Sequence, residues 1–347
     1  MNPVVSVVIN TYNYGRFIEE TIESALAQDF PADQMEIVVV DDGSTDDTAD
    51  RVRKYGDRVR YFYKANGDQC SAVPFGVARA KGQIVALLDG DDLWLPNKIS
   101  LVVQEFAKDP RLVMVYHRYI FWDAHSGNTW EHPYFAEVSG DVLADRRKLL
   151  SYMGAPTSSL AFRRDCFQAL TTIPAGRTFS YDAFLFTAVL FLGPISCIPA
   201  VLTKNRVHGE NRWAQQEGRL DIEKIKRHVA RRKAMTEILR DWIRANAPKS
   251  ARRQARILLC RARWVEDINE FAFAPPNRVR RFQHACRCAL LEEPTTRAHI
   301  AYRYTHAFAG LIVGRHARYL EGIRTRVNRA RARRTGAEPA NEAAGPV

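Results

Sequence analysis

The chain has 347 residues, of which 46% are hydrophobic and 26% charged; this is enough apolar material for a real core and excludes a chain that cannot fold. The length exceeds that of a usual single domain, so a second domain or a large appendage is expected. The net charge of +12 is uneven, with 29 Lys and Arg against 13 Asp and Glu from Gln216 onward and 22 against 26 before it. The cationic part therefore suits anionic lipid headgroups, nucleic acid or an acidic partner.

Residues 4–9 are apolar and β-branched and predict a first buried strand that ends in Asn10-Thr11-Tyr12-Asn13. A helix follows over 16–28, with Phe17, Ile18, Ile22, Ala25 and Leu26 at helical spacing. Residues 36–40 form a second strand running into Asp41-Asp42-Gly43-Ser44, and Ser44 or Thr45 is placed to cap a helix over 47–55. A short strand at 59–63, a turn at Asn66-Gly67 and a helix at 71–80 lead to the strand at 84–88. A helix at 97–108 and a strand at 112–121 come next. The segment 123–145 shows no period. A loop of small residues at 154–159 precedes Leu160-Ala161-Phe162. Asp182 then opens an uncharged helix at 183–192, and a strand leads to Asn205-Arg206-Val207-His208. Basic amphipathic helices are expected at 221–245, 252–269, 279–291 and 297–334, and residues 336–347 read as a disordered tail.

The alternation of strand and helix predicts an α/β fold, a mostly parallel central sheet with helices on both faces. The six cysteines, Cys70, Cys166, Cys197, Cys260, Cys286 and Cys288, lack metal-finger spacing, and a reducing compartment fits them. The residues before the first strand show no basic n-region or cleavable apolar segment, so no leader peptide is expected. The long uncharged stretch at 183–203 is interrupted by Gly193, Pro194 and Pro199, which makes it a buried helix and strand and not a membrane span.

The most informative stretch is Leu87-Leu88-Asp89-Gly90-Asp91-Asp92. Ile84 to Leu88 read as a strand buried on both faces, and Gly90 is expected to let the backbone turn so that the carboxylates converge at the strand's carboxyl end. That edge is where open α/β sheets bind ligands. Clustered carboxylates raise one another's pKa unless a cation sits between them, so a hard divalent ion is one occupant; a solvated Asp-Gly turn is the other reading.

Three markers stand in register: Val-Ser-Val-Val-Ile-Asn-Thr-Tyr-Asn at 5–13, Val-Val-Val-Asp-Asp-Gly-Ser-Thr-Asp at 38–46 and Leu-Leu-Asp-Gly-Asp-Asp at 87–92. In order and spacing they resemble the inverting family-2 glycosyltransferases of the GT-A fold, over residues 4–212. The resemblance implies that Thr11 and Tyr12 contact a nucleotide base and that Asp42 accepts a hydrogen bond from it. Asp41 either joins them or caps its turn. It also implies a Mg2+ or Mn2+ bridging the donor diphosphate, held by Asp92, with Asp91 on ribose or metal and Asp89 on one or the other. Asp182 matches the family's catalytic base; the alternative is a carboxylate stabilised by its helix dipole. Arg206 and His208 match an Arg-x-His element closing the nucleotide site, Arg206 pairing with diphosphate and His208 meeting metal or phosphate. Asn66 and Gly67 are assigned to the nucleotide side, and Thr157 and Ser158 to donor sugar, acceptor or packing.

The implied function is transfer of one sugar from a nucleotide-sugar, a UDP-sugar before a GDP- or dTDP-sugar, to a hydroxyl of a glycan or lipid-linked acceptor in cell-surface polysaccharide synthesis. The Gln/Arg-x-x-Arg-Trp signature of processive members is missing. The expected domains are 1–215 for catalysis, 216–335 as a basic helical extension and 336–347 as the tail, in a cytoplasmic protein whose extension either rests on an anionic membrane surface or is a plain helical bundle. No Gly-x-Gly-x-x-Gly follows the first strand, which disfavours a dinucleotide-dependent oxidoreductase. The rival from another class is a nucleic-acid-binding protein using the Arg-rich helices.

Overall fold

The computed structural model describes residues 3–132, 135–152, 154–171, 176–208, 222–259 and 262. The chain divides into two units, Met1–Glu266 and Asp267–Val347. The second lies wholly outside the described residues, together with the helices expected at 279–291 and 297–334, their arginines and the tail.

The first half of the described unit alternates β1 (Val5–Thr11), α1 (Gly15–Leu26), β2 (Met35–Asp41), α2 (Thr48–Arg53), β3 (Arg60–Tyr63), α3 (Gln69–Val77) and β4 (Ile84–Asp89). Strands β3, β2, β1 and β4 lie side by side and parallel. Strand β1 is an unbroken apolar run because both its faces are covered: Val7 and Ile9 pack with Ile18 and Ile22 of α1, and Val8 packs with Ala72 and Val73 of α3. All four strands run in one direction, so their polar ends share one edge, where Thr11 stands opposite Asp41 and Asn10 opposite Asp89. The cap expected from Ser44 or Thr45 is absent. Ser44 Oγ instead accepts from Asn13 N at 2.8 Å, and Asp46 Oδ1 takes the Thr48 amide at 3.0 Å.

The second half contains β5 (Leu93–Trp94), α4 (Lys98–Lys108), β6 (Met114–Asp123), β7 (Thr129–Glu131), α5 (Arg146–Ser151), β8 (Leu160–Arg163), α6 (Arg164–Leu170), α7 (Tyr181–Ala188), β9 (Ile195–Val207) and α8 (Ile222–Asn246). Here the sheet is mixed. Strand β8 runs antiparallel between β4 and β6, β9 is parallel to β6, β5 pairs antiparallel with β9, and β7 folds back on β6. The full order is β3-β2-β1-β4-β8-β6-β9-β5, with β7 beside β6. Strands β5 and β7 have two and three residues, too few to show any period in the sequence.

The uncharged stretch resolves into α7, a 3-10 turn and β9, and no described helix is long and apolar enough to cross a membrane. Met235, Ile238, Leu239 and Trp242 of α8 belong to the same apolar cluster as Tyr181 and Phe184 of α7. Trp242 Nε1 donates to Ala169 O at 2.9 Å. The first of the basic helices thus packs on the face that carries α6 and α7. Cys70, Cys166 and Cys197 are free thiols; the other three cysteines lie outside the described residues.

Candidate active site

Strand β4 ends in a tight turn in which Asp89 O accepts the Asp92 amide at 3.1 Å. Gly90 is not in the left-handed region, in contrast to the expectation of a glycine-dependent turn. It is needed for close approach instead: a Cβ there would meet Thr11 Cβ and Oγ1 at 2.7 Å. The acidic turn is thereby pressed against the end of β1.

The three aspartates of the turn have different surroundings. Asp92 is 3% exposed; its Oδ2 accepts from Ser158 Oγ at 2.5 Å and Asn205 Nδ2 at 2.7 Å, and its Oδ1 from Arg206 N at 2.9 Å. Both oxygens are thus occupied from within the protein. The carboxylate anchors the turn. Burial, then the charges of Asp91 and Asp89, holds it well above the usual carboxylate range. Asp89 accepts from Gln69 Nε2 at 2.8 Å, and its amide donates to Ser158 Oγ at 3.0 Å. Burial first and the Asp91 charge second push its carboxyl up to about 7. Asp91 Oδ2 lies 3.0 Å from His208 Nε2, and both side chains are largely buried. The His208 ring packs against Phe17 at 4.6 Å and Tyr14 at 5.5 Å, with Nδ1 3.4 Å from Arg16 Nη2.

Arg206 and Ser158 hold this turn in place. Arg206 donates through Nε to Asp91 O at 2.7 Å and through Nη2 to Glu20 Oε2 at 2.7 Å, with its guanidinium between the rings of Phe17 and Trp122 at 4.7 and 4.6 Å. The expected pairing with a diphosphate gives way to a strut under the acidic turn. Ser158 is fully buried and does not face a sugar. Its carbonyl accepts from Trp94 Nε1 at 2.9 Å, Lys98 Nζ at 2.6 Å and Thr203 Oγ1 at 3.0 Å. Lys98 is itself fully buried, and burial drives its amine well below the usual lysine range. Thr157, 2% exposed, accepts from Gln69 Nε2 at 3.1 Å and so supports the residue that holds Asp89.

At the other end of the edge, Asp41 is fully buried and accepts from Ser44 N and Tyr61 Oη, each at 2.7 Å. It caps its turn through Ser44 N. Asp42 pairs with Lys64 Nζ at 2.6 Å and accepts the Gly67 amide at 3.1 and 3.2 Å. Asn66 lies against Gly43, whose φ of +86° leaves the Asn66 amide 2.8 Å from where a Cβ would stand. Tyr12 is 39% exposed, with its ring open to a ligand. Thr11 is buried, and its Oγ1, like Asn10 Oδ1 and Asn205 Oδ1, has no hydrogen-bond partner among the described residues. Unpaired buried acceptors around one turn are what a polar ligand would satisfy.

Asp182 sits in the first turn of α7 and accepts the Ala183 amide at 2.7 Å. Its charge reaches Asp89, the Tyr119 phenol and the His228 imidazole, raising the pKa of each. His228 is nevertheless pulled down overall by burial and then by Arg232. His228, Gln69, Lys64, Lys98 and Asn205 all escaped the sequence reading. Only Asn205 left a signal, since strand alternation in β9 turns it away from Arg206 and His208.

The fit of a divalent ion can be judged from the donor set. No three described His, Cys, Asp or Glu side chains converge as a ready metal cage. Asp91 and His208 offer one oxygen and one nitrogen, with Asp89 in the same turn. Mg2+ and Mn2+ in nucleotide sites take few protein ligands and complete their shell from phosphate and water, so the residues fit such an ion.

A parallel block whose polar ends meet an acidic turn, backed by a mixed second half, defines the GT-A class of α/β glycosyltransferases. Residues 6–171, just under half of the chain, match the family model "Glycosyl transferase family 2", and this stretch carries that family's domain. An uncharacterized glycosyltransferase of Nostoc sp. is 32% identical over 219 residues, covering 60% of this chain and 66% of the relative, so the chain spans just under two thirds of that protein. Among solved structures, a 1–349 fragment of S. aureus TarS in complex with UDP-GlcNAc matches with a TM-score of 0.53 and 18% identity, over 88% of this chain and 89% of that one. The mannosyltransferase PcManGT from Pyrobaculum calidifontis, in complex with GDP-Man and Mn2+, matches with a TM-score of 0.52 and 19% identity, over 90% and 87%. At these identities the structural likeness establishes the fold.

Proposed function

We propose that the chain is a metal-dependent inverting glycosyltransferase that moves a single sugar from a nucleotide-sugar to a hydroxyl of a glycan or lipid-linked acceptor in cell-surface polysaccharide synthesis. The observation that carries this reading is the 3.0 Å contact between Asp91, in the same turn as Asp89, and His208, which follows β9. The structural neighbours in complex with UDP-GlcNAc and with GDP-Man and Mn2+ support a nucleotide-sugar donor and a divalent ion. A UDP-sugar is favoured over a GDP- or dTDP-sugar.

Tyr12 and Thr11 receive the base, and Asp42, with Lys64 and Gly67, borders it. Asp91 and His208 hold Mg2+ or Mn2+, which when bound neutralises the charge growing on the departing nucleoside diphosphate. Asp92, Arg206 and Ser158 keep the ligands in position and touch no substrate. Asp182 accepts the proton of the acceptor hydroxyl as the sugar carbon is attacked from the face opposite the leaving group. Thr157 acts through Gln69 on Asp89.

The test is to offer UDP-, GDP- and dTDP-sugars to the purified chain with and without Mn2+ and to follow release of the nucleoside diphosphate. Release from one donor class that stops on adding EDTA is expected; release from none would overturn the reading. The nucleic-acid alternative rests on arginines outside the described residues, and nothing in the fold favours it.

A further inference from the structure

Asp68, at the N-cap of α3, has φ +68° and ψ 170°, a region that only glycine occupies without strain. Its side chain is 7% exposed; Oδ1 accepts the Gln69 amide at 2.6 Å, and Oδ2 pairs with Arg231 Nη2 of α8. A strained, buried aspartate is thus held from a helix more than 150 residues further along the chain, with a separation of 163.

Its two neighbours are both tied to the donor edge. Gly67 N donates to Asp42, at the end of β2, and Gln69 Nε2 donates to Asp89, at the end of β4. Arg231 is also tied to the acceptor side: its carbonyl accepts from Ser180 N at 3.4 Å, two residues before Asp182. The segment from Lys64 to Gln69 therefore bridges the two ends of the donor edge, and α8 fixes its middle residue. Helix α8 lies beyond the residues 6–171 matched by the family model.

We propose that Asp68 and Arg231 are positioning residues, a latch through which α8 sets the 64–69 segment so that Asp42 and Asp89 are aligned for the nucleoside diphosphate. The proposal rests on the donor reading above. A strained conformation persists only when its surroundings over-determine it, and it marks a place where stability is given up for geometry. The latch therefore differs in outcome from a merely structural ion pair. Removing it should weaken the ligand without weakening the fold.

The experiment measures UDP, GDP and dTDP binding in the presence of Mn2+, by calorimetry, together with melting temperature, for the full-length wild type, Asp68→Gly, Arg231→Gln, Arg231→Lys and the Asp68→Gly/Arg231→Gln double variant. Asp68→Gly is expected to melt at or above the wild-type temperature and to bind the preferred nucleotide about tenfold more weakly, the size of an ordinary coupled contact. Arg231→Gln should lose a similar factor, Arg231→Lys should recover part of it, and the double variant should lose no more than either single one. Wild-type affinity in Asp68→Gly, or losses that multiply in the double variant, would overturn the latch alone. A wild type that binds none of the three nucleotides removes the donor reading and the latch with it.

Discussion

The two halves of the sheet solve different problems. In the parallel block β3-β2-β1-β4, the functional ends meet because the strands run the same way, and they set the exposed Tyr12 ring beside the buried Asp42, which pairs with Lys64. In the mixed half, β8 and β9 bring Ser158, Asn205 and Arg206 around Asp92 and bury them. The donor edge offers bonds that a ligand can replace, whereas Asp92 of the acidic turn is already bonded through both oxygens from within the protein. Buried polar networks of that kind specify geometry when every member is bonded. The comparison assigns recognition to the first half and rigidity to the second.

The largest test of that division is the one pair that serves both. His208→Ala and Asp91→Asn should each reduce metal-dependent turnover on the order of 10^3-fold, the scale of losing one charge-stabilising group at a reacting centre, and should abolish the effect of Mn2+ on nucleotide affinity. Turnover within a factor of a few of wild type would break the comparison at its centre. Asp182→Asn comes next. Loss of a general base is worth about 10^2-fold or more, and here it should leave nucleotide affinity unchanged, because the role proposed for Asp182 is on the acceptor hydroxyl. Equal losses of donor binding and transfer would mean that Asp182 belongs to the donor site.

Asp92→Ala sharpens the other side. It leaves the hydroxyl of Ser158, the amide of Asn205 and the backbone N–H of Arg206 without their acceptor in a buried site, a cost of about 3 kcal/mol. The expected outcome is a lowered melting temperature in the absence of any ligand, with turnover lost because Asp91 is no longer held. An unchanged melting temperature with lost Mn2+ binding would return Asp92 to the metal and make the mixed half less of a scaffold than its bonds indicate.

The same division explains what the sequence could convey. The strands of the parallel block are continuous apolar runs ending in polar markers and joined by helices, so both their existence and the meeting of Thr11, Asp41 and Asp89 at one edge were legible. The placing of Asp89, Asp91 and Asp92 in one turn at the end of β4 was legible too, from the motif itself. What each carboxylate does was not. Asp92 reads as a ligand until its partners are known, and those are 66, 113 and 114 residues away. Arg206 likewise looks like a phosphate-binding arginine until Phe17, Trp122 and Glu20 enclose it. Pairings such as β4 with β8, or Trp94 with Thr203, leave no local period.

The smallest effect expected is a dependence on pH, and it separates the two halves without disturbing either. The Asp89 carboxyl, ordinarily near 3.8, is raised to about 7 by burial and by Asp91. Below the ordinary value both folded and unfolded chains carry the proton, and the shift has no consequence. Between about 4 and about 7 the folded chain keeps a proton that the unfolded chain has released, so stability is lost as pH rises through that window. His117 works in the opposite direction: burial holds it neutral, so its contribution is lost as pH falls below the ordinary imidazole value. The difference between wild type and Asp89→Asn cancels the histidine and isolates the aspartate. Without metal, the wild type should fall in melting temperature relative to Asp89→Asn between pH 5 and pH 8. A dication must displace the Asp89 proton, so Mn2+ affinity should weaken by up to about tenfold per pH unit below 7 in the wild type, and less in Asp89→Asn. A difference that stays flat with pH would mean that Asp89 is ionised throughout, as open to water as the residues of the donor edge.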